Sequence, residues 1–142
     1  MEAKSIALLS ILLRGSKLLD QKVEEVAKRW QLSLSEAKIL SFLCQAPHMN
    51  TACSIAKYCG MSKASVSGNV LKLVGRGLLK MDVDLADRRF QHLTPTEQAV
   101  PIREDIYYRA EDFVHQLLSP LTAEEQSEFL RLLSRINQHA DD

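Results

Sequence analysis

Two stretches of the chain hold residue types suited to polar recognition rather than bond-making. The first, Ser62-Lys63-Ala64-Ser65-Val66-Ser67, sets three hydroxyls and a cation within six positions, with Lys72 following. Ser65 and Ser67 can reach base edges or phosphates through their hydroxyls, while Lys63 and Lys72 suit phosphate oxygens. The second, Asp87-Arg88-Arg89, offers two guanidiniums of the kind that a narrow A·T minor groove attracts. One of the pair is expected to enter such a groove, and the other to bond Asp84 or Asp87 and hold the loop's shape. Thr51 joins the set as the hydroxyl that opens this region. Ser62 is expected mainly to cap a helix, with a phosphate contact besides. Asn69 lies nearer the core side and reads as structural.

A third group, Cys44, His48, Cys53 and Cys59, invites a metal or redox reading. Paired zinc ligands sit two to four residues apart, and this spacing differs. Cys53 and Cys59 share one helix and point in different directions. Buried cysteine acting as a small hydrophobe is the default, so no metal or cofactor is expected. His92, His115, Trp30, Tyr107 and Tyr108 are scattered candidates for an effector pocket. No Gly-rich phosphate loop, metalloprotease helix or nucleophile elbow is present, and the chain does not read as an enzyme.

The elements that must position these groups follow from apolar spacing and caps. Ile6, Leu9, Leu13, Leu19, Val23, Val26 and Trp30 recur at helical intervals over residues 4–30, interrupted only by Gly15. So early an apolar stripe calls for a partner, either a second subunit or the monomer core. Ser33-Leu-Ser-Glu36 is a capping-box start for a second helix with Ile39, Leu40 and Leu43 inward, ended by Ala46-Pro47. Thr51 caps a third, with Ile55 and Ala56 on its buried side. Gly60 supplies a left-handed turn, and Ser62 caps a fourth that closes at Arg76-Gly77. A small residue at the helix contact, glycine at the corner and β-branched Val66 in the core make a helix-turn-helix. Leu78–Met81 and Phe90–Thr94 read as strands around a charged loop, a β-hairpin wing. Thr94-Pro95-Thr96-Glu97 resembles another helix start, although Pro101 beyond it implies a kink or a delay. That helix carries Ile102, Ile106, Phe113 and Val114 as far as Pro120. Thr122 to Glu125 opens the last one, with Phe129, Leu132, Leu133 and Ile136 on one face.

The chain has 142 residues, one ordinary domain with room for dimerising extensions, and can bury a core without disulfides. Its formal net charge is zero, but the charge is segregated. Residues 57–94 carry seven basic side chains (Lys57, Lys63, Lys72, Arg76, Lys80, Arg88, Arg89) against Asp82, Asp84 and Asp87, and residues 95–142 are acidic. A local basic patch, not the total, is what attracts a phosphate backbone. Three cysteines suit a reducing compartment, and the apolar run Ile6–Leu13 is too short to span a bilayer. The expectation is a cytoplasmic protein that does not contact membranes.

Leu40 and Leu43, Thr51, Ile55, Ala56, Gly60, Ser62 to Ser67, Arg76-Gly-Leu-Leu79, Asp84, Asp87-Arg-Arg89 and Leu93-Thr94 together resemble the MarR family of winged-helix regulators. The resemblance implies a mainly α fold of six helices plus a β-hairpin wing. It also implies an N-terminal dimerisation helix over 1–32, a winged helix-turn-helix over 33–94 and C-terminal dimerisation helices over 95–142. A homodimer would set two recognition helices on a pseudo-palindromic double-stranded DNA operator. The commoner outcome for the family is repression, relieved by a small-molecule, metal or oxidant signal. Three departures stand out: Gly68 where arginine is usual, Leu71 where a polar side chain is usual, and Met81-Asp82 in place of arginines, with a shorter wing. They imply fewer phosphate contacts and weaker affinity. They also keep open a winged-helix protein-interaction module with weak DNA affinity, while the cysteines leave open a redox sensor using Cys44, Cys53 or Cys59.

Overall fold

The computed structural model describes residues 3–140; Asp141 and Asp142, counted above in the acidic segment, lie outside them. Strong helix formers carry α1 (Ala3–Trp30) straight through Gly15, and α2 (Leu34–Gln45) follows after a sharp reversal. Gln31 makes that reversal at φ 54°, and the Leu32 N–H reaches back to the Ala27 carbonyl at 2.9 Å. Ser33 caps α2 by accepting from the Glu36 N–H at 3.1 Å. The other half of the expected capping box is missing. Glu36 is buried, and its carboxylate takes 3.3 Å contact with Arg76 instead of turning back to Ser33.

Next come α3 (Ala52–Cys59) and α4 (Lys63–Gly75), joined by Gly60 at φ 63°, ψ 33°. Thr51 and Ser62 cap them through the N–H groups of Ser54 and Ser65. Arg76 and Gly77, the latter at φ 73°, close α4, and the Leu78 N–H returns to the Leu73 carbonyl. The core lies under this unit. Ile39, Leu40 and Leu43 of α2 meet Ile55, Val66, Val70 and Leu73, with Leu79, Leu93, Ile102, Ile106 and Val26 completing it.

The wing is a two-stranded antiparallel sheet, β1 (Leu79–Val83) and β2 (Gln91–Pro95), paired Met81 to Leu93 and Val83 to Gln91. The ladder is longer than the sequence implied, since Asp82 and Val83 belong to it. Thr94 does not start a helix, contrary to the sequence expectation, but lies in β2. Thr94 pairs with Lys80 in the ladder, Pro95 ends the strand, and the Thr96 hydroxyl donates to the Gly77 carbonyl. A 3₁₀ turn (Glu97–Ala99) intervenes before α5 (Val100–Leu118), so Pro101 sits in its first turn, where its missing N–H costs nothing. The last helix, α6 (Ala123–Ala140), opens with a complete capping box between Thr122 and Glu125.

α1 and α5 lie side by side, tied by Lys22 to Asp112 at 2.6 Å and by Arg109 to Glu25. Buried Asp105 accepts from Trp30 Nε1 at 2.9 Å and Arg109 Nε at 3.1 Å. Beyond this contact α1 is bare: Leu8, Ile11, Leu12 and Leu13 are 58–73 % exposed, although Val26 and Ala27 are buried. The apolar face of α6 is exposed too, at Phe129, Leu132, Leu133 and Ile136. No described helix is long and apolar enough to cross a membrane.

Candidate nucleic-acid interface

A groove of about 310 Å³ runs between α4, the start of α3 and the wing tip. Thr51, Cys53, Lys63, Ser67, Arg88 and Arg89 line it, so five of the eight residues singled out from the sequence converge on one surface. The other three lie elsewhere. Ser62 is exposed and occupied in capping α4, and Lys72 is exposed on the outer side of α4. Ser65 is half-buried on the far flank, where the Asn69 amide reaches its carbonyl at 2.8 Å and its hydroxyl at 3.4 Å. Asn69 thus serves the helix itself, as expected. The Thr51 hydroxyl accepts from the Ser54 N–H at 3.2 Å, so one lone pair is committed before any ligand arrives.

The two wing arginines differ. Arg89 forks onto Asp87, with Nε at 3.0 Å from Oδ1 and Nη2 at 2.7 Å from Oδ2. Arg88 is exposed and enters no hydrogen bond or ion pair among the described residues. The loop between the strands is built by its acids. Asp84 Oδ1 accepts from the N–H groups of Ala86 at 2.8 Å and Asp87 at 3.2 Å, and Asp87 Oδ1 accepts from the Arg89 N–H. These bonds favour the charged forms. His92, then the two backbone N–H groups, hold the Asp84 carboxyl below its ordinary range, and Arg89 does the same for Asp87.

His92, a candidate pocket residue from sequence, fastens the wing instead. Its ring lies 2.8 Å from Asp84 Oδ2 and 2.7 Å from Asn50 Oδ1, and the Leu93 N–H donates to the Asn50 carbonyl at 2.8 Å. The wing is therefore docked on the approach to α3. Trp30 and Tyr107 are likewise committed, to Asp105 and to the Cys44 carbonyl. His115 of that group lines a sizeable hollow, about 560 Å³ between α5 and α6 with Val114, Leu118 and Gln126.

The basic patch of residues 57–94 sorts into two sets. Arg76, Lys80 and Arg89 are matched by Glu36, Asp82 and Asp87. Arg76 also donates to the Trp30 and Gln31 carbonyls, closing the end of α1 from forty-five residues away. Lys57, Lys63, Lys72 and Arg88 enter no ion pair among the described residues. These four are the cations available to a phosphate backbone.

Between Lys63 and Lys72, α4 has two contrasting faces. At about 100° per residue Val66, Val70 and Leu73 point into the core, while Ala64, Gly68 and Leu71 share the outer side. Leu71 is 63 % exposed. A methyl group placed on Gly68 would meet no atom within 4 Å, and its backbone is ordinary helix. Neither packing nor conformation requires glycine there, at a cost of about 1 kcal/mol relative to alanine.

The cysteines do not gather. Cys44 is buried, Cys53 exposed and Cys59 half-buried. Burial pushes the Cys44 thiol up to about 11 and raises that of Cys59, opposite to what a reactive thiolate needs.

No family model matches the chain. The HTH-type transcriptional regulator PecS of Dickeya dadantii (strain 3937) is 22% identical over 141 residues, 98% of this chain and 85% of that protein. A MarR family protein from Bacillus stearothermophilus aligns in structure with a TM-score of 0.72 at 18% identity, over 100% of this chain and 99% of the other. Bordetella bronchiseptica BpsR, whose DNA binding is regulated by 6-hydroxynicotinic acid, aligns with a TM-score of 0.62 at 20% identity, over 92% and 98%. The described residues thus take the MarR winged-helix fold.

Proposed function

We propose that this chain is a sequence-specific DNA-binding transcriptional regulator that acts as a homodimer. The observation that carries the reading is the groove between α4 and the wing, where Thr51, Lys63, Ser67 and Arg88, which has no ion-pair partner among the described residues, face one way. A helix N-terminus supplies further N–H donors beside Lys63, and the clamped Arg89–Asp87 loop presents Arg88 without a disordered tether. In this arrangement α4 enters a major groove and Arg88 the adjoining minor groove. The exposed apolar faces of α1 and α6 support pairing of two copies. Pairing spaces the two α4 helices by about 34 Å, one turn of duplex, and matches them to an inverted repeat. Repression relieved by a small molecule is the regulatory mode we assign, with BpsR as the structural neighbour whose DNA binding a small molecule regulates.

The test is selection from a pool of random duplexes. The enriched sequences are expected to converge on an inverted repeat with half-sites about 10 base pairs apart. Enrichment of a single unrepeated element would contradict the dimeric reading, and no enrichment would contradict DNA recognition itself.

A further inference from the structure

Resting on the DNA-binding reading, we infer that the outer face of α4 reads the 5-methyl group of a pyrimidine, thymine above all. Ala64, Gly68 and Leu71 occupy an arc of about 60° on that face and present a methyl group, a hydrogen and an isobutyl group. None can donate to or accept from a base edge. Polar base atoms brought against Leu71 would lose water and gain no partner, which disfavours binding. Of the groups lining a major groove, only the pyrimidine 5-methyl gains from an apolar neighbour.

Gly68 explains how the contact closes. The glycine fills no packing need, since a Cβ there would point into open space, and its φ is that of any helical residue. It is an unfavourable choice inside a helix. Its missing side chain lets the helix approach the base edges and brings the exposed Leu71 within reach of a methyl. Lys63 and Lys72 bracket the arc, and neither is engaged by a carboxylate of the described residues. Phosphate contacts at both ends set the helix into the groove while the middle discriminates by shape and methylation.

The experiment takes the duplex recovered by selection and replaces each thymine in turn by deoxyuridine, which removes one methyl and nothing else. One position per half-site is expected to lose about fourfold in affinity, the worth of one buried methyl. Leu71→Ala should erase that difference. Deoxycytidine at the same position should bind worse than 5-methyldeoxycytidine, with its base partner changed to guanine in both. Gly68→Ala is expected to raise Tm by a few degrees while weakening binding to the selected duplex. Several outcomes overturn the inference while leaving the regulator reading intact: indifference to every uridine, a uridine effect that survives Leu71→Ala, or no gain from methylated cytosine. A Leu71→Ala variant that binds all duplexes like the parent protein would also overturn it and return that face to a protein partner. Failure of selection would instead remove the regulator reading on which all of this stands.

Discussion

Between α2 and β2 the large inward-facing apolar side chains find partners within the chain: Ile39, Ile55, Val66 and Leu73 are fully buried. At the two ends of the chain, Leu8, Ile11, Leu12 and Leu13 of α1 and Leu130 and Ile136 of α6 stand at least half exposed. Both regions have helical apolar spacing, so spacing alone does not reveal where the partner lies. In the centre three short helices and a wing fold back on one another over tight turns. A long helix such as α1 outruns the single protomer, and its first half is left uncovered among the described residues. The centre buries its own apolar face while the ends leave theirs uncovered, and this difference supports the proposed pairing of two copies through the ends.

Breaking the centre is expected to cost most. Leu73→Ala should destabilise the fold by about 2–5 kcal/mol through the cavity it leaves, measured by denaturant unfolding. The paired substitution Leu8→Asp with Leu12→Asp should leave helix content and the central core intact. It should move the protein to a monomer at micromolar concentration in sedimentation equilibrium. If the double variant stays dimeric, α1 is not the associating surface; if it unfolds, the ends are not separable from the centre.

How much of this was legible in sequence follows the range of the forces involved. The caps at Ser33, Thr51 and Ser62 and the left-handed turns at Gly60 and Gly77 depend on neighbours within a few residues, and they appear where the residue types put them. That one arginine of the pair bonds Asp87 was also readable in outline, because Asp87 is two positions away from Arg89. Long-range pairing was not. Glu36 looks like half of a capping box until Arg76, forty residues on, takes its carboxylate. Thr94 looks like a helix cap until the ladder claims it opposite Lys80. His92 looks like a stray imidazole until the fold brings Asn50 and Asp84 to its two nitrogens.

A smaller effect sharpens the comparison within the centre, between its apolar core and its polar wing. Asp84 and Asp87 have folded pKa values held below those of the unfolded chain, so their stabilisation of the wing is present above the unfolded value, about 3.9. It disappears as pH falls through the folded values. Amide exchange at Ala86, Asp87 and Arg89 should therefore show an unchanged degree of protection from pH 7 to 5 and lose it only below about pH 4. Loss of wing protection already near pH 5.5, with the core intact, would show that the two carboxylates do not hold the loop.

The most direct test of the account is fluorescence anisotropy of the protein on its selected duplex and on a scrambled one, across a series of salt concentrations. Binding is expected to be tight and sequence-preferring and to weaken steeply with salt. Arg88→Ala should reduce that slope by about 1, and Arg89→Ala should act mainly through the shape of the wing. Weak binding, equal on both duplexes and flat with salt, would contradict it.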